Sequence, residues 1–445
     1  MTLRVLGIGD TCDLNALYAR LVEDGCHVRV AISEPLCHGV LAGIIERVDE
    51  WRDHLGWVRE AGSDGLILFE NVAEGRGALQ DELRRDGFHV VGGSAYGDRL
   101  EKDRAYAQDV LRGIGLDVAG VWEFEAAEPA LAFLAERPGR YVLKFSGDGF
   151  GAADNYIGRM RDGRDVAAVL RVKLKAREGK ATRFILMERL DGVEMGVGAY
   201  FDGRRFLLPA CLDWEHKHFF PGDLGELTGE MGTVVTYRRS QGFFERTLAR
   251  IAPLLAEHGY LGYINLNTIV NDAGIWPLEF TCRFGYPGFA ILDPLQETSW
   301  ADLFRTMTSR RAMTSGSGAP IQTRPGFATG IVVTTRPFPF IRTYVPEPIG
   351  LPVLFEGELT AADRANIHYG EVGLDEDGQL VTAGYHGWTL VVTGTGPTIA
   401  EAGREAVRLA DRVVVPNARY RRDIGAKLVA GQWAELERLG LLDPE

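Results

Sequence analysis

Several residues in this sequence have types and spacings suited to phosphate and carboxylate chemistry. Lys144 stands inside an apolar, strand-like run, YVLKF, and the Gly-rich stretch SGDGFGAAD follows it. An ammonium on a strand beside the amides of a Gly loop can hold nucleotide phosphates; a lysine reaching out to solvent is the plainer reading. Glu279 lies in a second apolar run, WPLEF, followed by Thr281, Cys282 and Arg283. An inward-facing carboxylate needs a partner. Mg²⁺ bridging phosphate oxygens supplies one, and an ion pair with Arg283 is the alternative. Arg283 has the planar fork that grips a carboxylate or an acyl phosphate. The stretch DWEHKHFFPGDLGELTGEMG, residues 213–232, offers an acid, a base and a cation in Glu215, His216 and Lys217. An exposed polar loop is its simpler meaning. Glu188 ends the run FILME, and Glu194 follows Leu190-Asp191-Gly192. Strand-end carboxylates can hold an adenine amino group or a ribose hydroxyl, or stand as solvated hairpin charges.

The elements that must position these residues can be read from periodicity. Residues 3–8, a Gly turn, an amphipathic helix over 14–23 and a strand over 27–32 form a β-turn-α-β unit. Strands over 65–69 and 88–92 with a helix over 77–85 extend it, so residues 1–98 are expected to be one open parallel α/β domain. Residues 100–113 read as one charged helix. From 141 onward, strands at 141–145, 184–187 and 194–200 alternate with Gly turns, which suggests an antiparallel layer. Runs at 263–270 and 276–280 form a hairpin across Asn271-Asp272-Ala273-Gly274. Residues 315–325, rich in Ser, Gly, Pro and Thr, read as a linker. The division is 1–98, 99–325 with a small lid at about 120–190, and 326–445 as an α+β module whose helix over 398–413 is capped by Thr398.

Composition narrows the function. The chain has 445 residues, with 49 Lys and Arg against 62 Asp and Glu, a net charge of −13. A general nucleic-acid binder needs clustered cations, so that class is set aside. No apolar run reaches the roughly 18 residues of a membrane span. Met1 leads directly into a strand with no basic leader, which gives a cytoplasmic expectation. The five cysteines, Cys12, Cys26, Cys37, Cys211 and Cys282, have no metal-type spacing and read as free thiols. Cys12 follows the Gly turn and is a conceivable nucleophile; a small, partly buried residue is the simpler reading. Gly7 and Gly9 after a strand suggest a dinucleotide fingerprint, but its third glycine falls on Cys12, which removes that reading. The 55 glycines are a surplus over the usual share near 7%.

The order of the motifs carries a resemblance. Lys102, Lys144 with its Gly loop, MERLDGVE, DWEHKH…GELTGEMG and LEFTCRFGYPG follow one another as in ATP-grasp enzymes. Within that superfamily they resemble phosphoribosylamine–glycine ligase. Trp214-Glu215-His216-Lys217-His218 matches the family pattern QDHKR, residues 224–232 match TGPNTGGMG, and residues 279–288 match EFNCRFGDPE. The helix at 398–413 and the YRRDIG run at 420–425 resemble the family's C-terminal signature. The resemblance implies an N-terminal domain, a lid, an ATP-grasp core and a C-terminal domain, with ATP held between two antiparallel sheets. It implies ATP and Mg²⁺ (or Mn²⁺) as cofactors. It further implies a small-molecule amine and an amino-acid or other carboxylate as substrates, in a monomer or homodimer.

By position, the resemblance places Lys102 and Lys144 at the phosphates, Glu188 and Leu190 at adenine and Glu194 at the ribose. It places Glu279 and Thr281 at the metal, and Glu215, Lys217 and Arg283 at the reacting carboxylate. Gly7, Gly9, Asp10, Glu70, His216, Thr228, Gly229 and Met231 fall at substrate positions. The N-terminal loop departs from the family's GSGGREHA. It reads Gly7-Ile8-Gly9-Asp10-Thr11-Cys12-Asp13-Leu14, and two carboxylates there repel a phosphate. This implies a changed amine. A nucleotide-binding protein without catalysis is the other reading, resting on the altered loop after Lys144 and on Thr281 where the family has Asn.

Overall fold

The computed structural model describes residues 2–11, 13–70, 75–145, 154–175, 182–309, 321–340 and 349–444. Cys12, Gly147, Gly149 and Gly151 lie outside the described residues, as does the 315–320 part of the linker.

The N-terminal sheet is parallel, as its alternating strand–helix pattern predicts, and has five strands. In spatial order they are Glu46–Val48, His27–Ile32, Arg4–Gly9, Gly65–Phe69 and Val90–Val91. The strand Glu46–Val48 is too short to stand out in the sequence. Gly65–Phe69 is buried along its whole length, as a central parallel strand requires.

Two antiparallel sheets follow. A four-stranded sheet runs Val121–Phe124, Phe184–Glu188, Tyr141–Phe145, Tyr156–Ile157. On Tyr141–Phe145 the pleat turns Tyr141, Leu143 and Phe145 inward and leaves Val142 and Lys144 half-buried on the other face. The inward set packs with Ala130, Leu134, Val166 and Leu170 from the helices Ala127–Glu136 and Arg164–Lys175.

The large sheet has eight strands: Gly274–Thr281, Leu261–Asn271, Val193–Asp202, Phe206–Glu215, Gly232–Thr236, Phe327–Thr334, Trp388–Gly396 and Ile367–Tyr369. The last three come from the C-terminal part of the chain, so that part extends the central sheet. The two faces of the sheet differ. Val193, Met195, Val197, Leu212, Leu266 and Phe280 enter the main apolar core. Glu194, Asp213, Glu215, Asn265, Glu279 and Thr281 point the other way, into a cleft. Among the described residues no helix is long and apolar enough to cross a membrane.

Residues 100–113 do not form one helix. They divide into Ala95–Lys102 and Arg104–Gly113, and the Asp103 side chain caps the second by accepting from Tyr106 N at 3.0 Å. A carboxylate that satisfies an orphan amide favours a new helix start over continuation.

Candidate active site

The cleft between the four-stranded and eight-stranded sheets encloses about 1130 Å³. That exceeds a typical small-ligand pocket and leaves room for more than one substrate. One end is apolar, walled by Val142, Ile157, Met187, Leu190, Ile269 and Leu278. The middle is charged.

Glu279 is the hub. Its Oε2 accepts from Arg104 Nη1 at 2.5 Å and from Lys144 Nζ at 3.3 Å, and its Oε1 lies 3.6 Å from Lys217 Nζ. Lys217 also reaches Glu215 at 3.0 Å and Glu194 at 3.1 Å. Asn267 donates to Glu194 at 2.8 Å. Three cations from three elements therefore meet three carboxylates. The Lys144 ammonium and the Arg104 and Lys217 cations hold the Glu279 carboxyl well below its usual range against the cost of burial. Burial acts against the Lys217 charge too, but Glu215, Glu194 and Glu279 together raise its pKa. For Lys144 burial wins and lowers the pKa.

Arg104 is the residue the sequence pattern missed. Its helix is docked on the strand Gly274–Thr281 by Gln108, which donates to the Leu278 carbonyl at 3.0 Å. Lys102 ends the preceding helix, is exposed, and does not line the cleft. The signal was present in the sequence as Asp103, a capping residue directly before a cation.

Arg283 lines the cleft beside this hub. Its Nε donates to Glu101 Oε1 at 3.0 Å, and Glu101 Oε2 accepts from Cys282 N at 2.8 Å. Glu101, a second residue missed in the sequence, thus fixes the guanidinium. Asp213 and Glu230 complete the wall. Burial, with Glu215 nearby, pushes the Asp213 carboxyl up to about 8, and Asn265 donates to it at 2.6 Å. The same causes raise Glu230, which accepts from the Thr233 hydroxyl.

Glu188, Leu190, Glu194, Glu215, Lys217, Thr228, Gly229 and Thr281 all line the cleft. Glu279 and Thr281 share one face, two residues apart on a strand. His216 lines it as well but is spent on structure: Gly425 N donates to its Nε2 at 3.1 Å, and its Nδ1 lies 3.2 Å from the Trp214 carbonyl. An acceptor Nε2 leaves Nδ1 as the donor. Burial, with Arg421 nearby, lowers the His216 pKa to about 4, so the ring is neutral. The Thr228 hydroxyl donates to the Lys217 carbonyl at 2.7 Å. Met231 does not face the cleft and packs with Phe219 and Phe338.

Gly7, Gly9, Asp10 and Glu70 form a separate group at the end of the N-terminal sheet. A Cβ at Gly9 would overlap the Glu70 carboxylate, and one at Gly7 the Tyr18 ring, so glycine lets both side chains close under the strand end. Glu70 is fully buried and accepts from Asp13 N at 3.0 Å. Burial, with Asp13 close by, pushes its carboxyl up to about 8. Asp10 pairs with Arg76 and accepts from Ser33 Oγ at 2.5 Å. This group joins the cleft through Arg283, whose charge acts on Asp13.

Beside it lie Cys37, Glu371 and His386, side chains of metal-ligand type. Glu371 already accepts from the amides of Tyr385, His386, Gly387 and Trp388 and sits 2.9 Å from His386 Nδ1. Burial also raises the Cys37 thiol pKa strongly. The group is therefore a peg for the turn at 384–388.

Two antiparallel sheets closing on a cation-ringed carboxylate are an arrangement similar to that of the ATP-grasp class. Residues 102–289 match the family described as "Phosphoribosylglycinamide synthetase, ATP-grasp (A) domain". Within that class the chain is similar to phosphoribosylamine–glycine ligases. The Pseudomonas aeruginosa protein of that name is 28% identical over 366 residues, covering 80% of this chain and 81% of the relative. The Salmonella typhimurium protein is 28% identical, covering 80% of each. The crystal structure of the Thermotoga maritima phosphoribosylamine–glycine ligase superposes with a TM-score of 0.70 at 22% identity, over 95% of this chain and 100% of that one. A biotin carboxylase domain from Hydrogenobacter thermophilus, solved with MgADP, has a TM-score of 0.63 at 12% identity, over 94% and 92%. At that identity the likeness is one of fold.

Proposed function

We propose that the chain joins a carboxylate to an amine at the expense of ATP, through an acyl phosphate. The observation that carries this is the Glu279 hub, with Arg104, Lys144 and Lys217 converging on it beside Arg283. Phosphoryl transfer is mostly positioning and charge neutralisation, and this cluster supplies both.

The proposed roles use this geometry. The base lies in the slot of Val142, Met187, Leu190, Ile269 and Leu278, with Glu188 at its rim and Glu194 toward the ribose. Lys144 and Arg104 turn from Glu279 to the phosphates. Glu279 and Thr281 suit Mg²⁺, since both offer oxygen from one face of a strand; when bound, the ion neutralises charge across the phosphates. Arg283, held by Glu101, grips the carboxylate substrate. One carboxylate oxygen attacks the γ-phosphorus and ADP departs. The amine then attacks the carbonyl carbon, the C–N bond forms, and phosphate leaves. Asp213, Glu215 and Glu230 form a wall of carboxyl groups in the same cleft, and an ammonium placed there would offset the burial that holds the protons on Asp213 and Glu230. A zwitterionic amino acid, with its carboxylate at Arg283 and its ammonium at this wall, fits both ends.

The amine is proposed to differ from phosphoribosylamine. Asp10 and Asp13 stand in the N-terminal loop, where a phosphate would require cations.

The test is a hydroxylamine trap. Protein, ATP and Mg²⁺ are incubated with each of a set of amino acids, and hydroxamate and ADP are measured. Both are expected with at least one amino acid. Their absence across the set overturns the ligase reading. Normal turnover with phosphoribosylamine and glycine overturns the changed amine alone.

A further inference from the structure

The YRRDIG run is a sequence motif to which the proposed chemistry assigns no task. Arg421 within it is completely buried. Its Nε and Nη2 donate to Asp423 at 2.8 and 2.7 Å, and its Nη1 donates to the His218 carbonyl at 2.9 Å and to Asp223 at 3.2 Å. Asp423 accepts from Gly222 N at 2.9 Å. Lys427 pairs with Asp223 from the other side. Gly425 N holds His216, and a Cβ at Gly232 would strike Ile424. Apart from the Arg421–Asp423 pair, each contact joins the segment 421–427 to the segment 216–232, about 200 residues earlier in the chain.

The clamped segment carries cleft groups. Lys217 lies between His216 and His218, both held by the clamp. Thr228 N donates back to the Lys217 carbonyl at 2.7 Å, and Met231 N to the His216 carbonyl at 2.8 Å. A buried guanidinium loses its hydration, and such pairs add little net stability. They do fix geometry, because a planar fork bonded to two carboxylates and a carbonyl admits few arrangements.

We infer that Arg421 is a positioning residue for the proposed ligation: with Asp423 it clamps the 216–232 segment so that Lys217 stands correctly against Glu215 and Glu279 in the cleft. This rests on the proposed ligase reading, but one arm of its test does not.

The experiment uses the full chain with Arg421→Lys and Asp423→Asn, and with Arg438→Ala as a control at an exposed pair. In the hydroxamate assay kcat is expected to fall about 10–100-fold in both clamp variants, since small misplacements cost that much. KM for ATP should stay within about threefold, because the base slot and Lys144 lie outside the clamp. Retaining the charge in Arg421→Lys should not rescue the rate. Independently of turnover, hydrogen exchange should lose protection at the Thr228 and Met231 amides and keep it on the strand Val193–Asp202. Unchanged protection at Thr228 and Met231 overturns the clamp. Lost protection with unchanged kcat overturns its role in catalysis, as does an equal loss in kcat and ATP affinity. If the parent protein forms no hydroxamate, the ligase reading fails while the exchange arm still decides the clamp. Should Arg421→Lys not fold, Asp423→Asn alone carries both arms.

Discussion

Around Glu279, each of three carboxylates is met by a cation from another element. At the end of the N-terminal sheet, Asp10, Asp13, Glu34, Glu70 and Glu371 share Arg76, His386 and Arg283. In the cleft, cations and carboxylates are thus matched, and the proposed reading turns the cations to phosphates and Glu279 to a metal ion. The N-terminal group instead has more carboxylates than cations, and burial has raised the pKa of two of its acids, Asp13 and Glu70. The difference is what the proposed reading uses: the Glu279 cluster is assigned to phosphoryl transfer and the acid-rich end of the N-terminal sheet to a second substrate without a phosphate. The largest effect that would break this comparison is loss of the hub. Glu279→Gln is expected to lower ADP formation roughly 1000-fold or more, because three cations lose their shared partner and the metal its carboxylate. Steady-state ADP release measures it, and a loss below about tenfold would sink the assignment.

Arg104→Ala comes next. A fall of about 10–100-fold in kcat/KM for ATP is expected, since a cation aimed at developing phosphate charge is removed. Asp13→Asn sharpens the other side of the comparison. It should change KM for the amine by up to about tenfold and leave hydroxamate formation alone. An equal effect on both assays would mean that the two regions do not work separately.

The third contrast is in proton linkage. Glu70 has a folded pKa of about 8 against an ordinary 4.5, raised first by burial. The native state therefore binds its proton more tightly than the unfolded chain. Stability from this group is present in full below about pH 4.5 and is lost as pH rises through about 8. The slope is at most about 1.4 kcal/mol per pH unit. Denaturant unfolding between pH 6 and pH 9 should show the parent losing stability relative to Glu70→Gln. Parallel pH curves for the two proteins would contradict a buried, protonated Glu70.

Much of this was legible from the chain alone, for a physical reason. Strands that bury one face alternate, so a charged residue inside such a run, as Lys144 and Glu279 are, must face a ligand or an ion partner. The parallel N-terminal sheet and the 261–281 hairpin were legible for the same reason, with Asn271 to Gly274 marking the turn. What could not be read was which long-range partner each polar residue had already found. His216 looks like a base in sequence, but its ring is occupied by Gly425, 209 residues away. Met231 sits in a motif yet packs with Phe219 and Phe338. The strand Glu46–Val48 has only three residues and owes its pairing to its neighbour. Arg421 is enclosed by partners about 200 residues earlier in the chain, which no local pattern marks.

The smallest expected effect belongs to Lys102, and it tests how far a motif can be trusted at single-residue resolution. Lys102 and Arg104 are two residues apart, both cationic, in a stretch that reads as continuous helix. In one helix of 3.6 residues per turn, positions two apart point about 200° away from each other, so one cation at most could enter the cleft. The Asp103 cap breaks the helix and restarts it at Arg104, which puts Arg104 against Glu279 and leaves Lys102 in solvent. Lys102→Ala should therefore change kcat/KM for ATP by less than about twofold, a surface-charge effect screened by salt. Measured beside Arg104→Ala at two salt concentrations, a large and salt-independent loss at Lys102 would place it at the phosphates and reverse the two assignments.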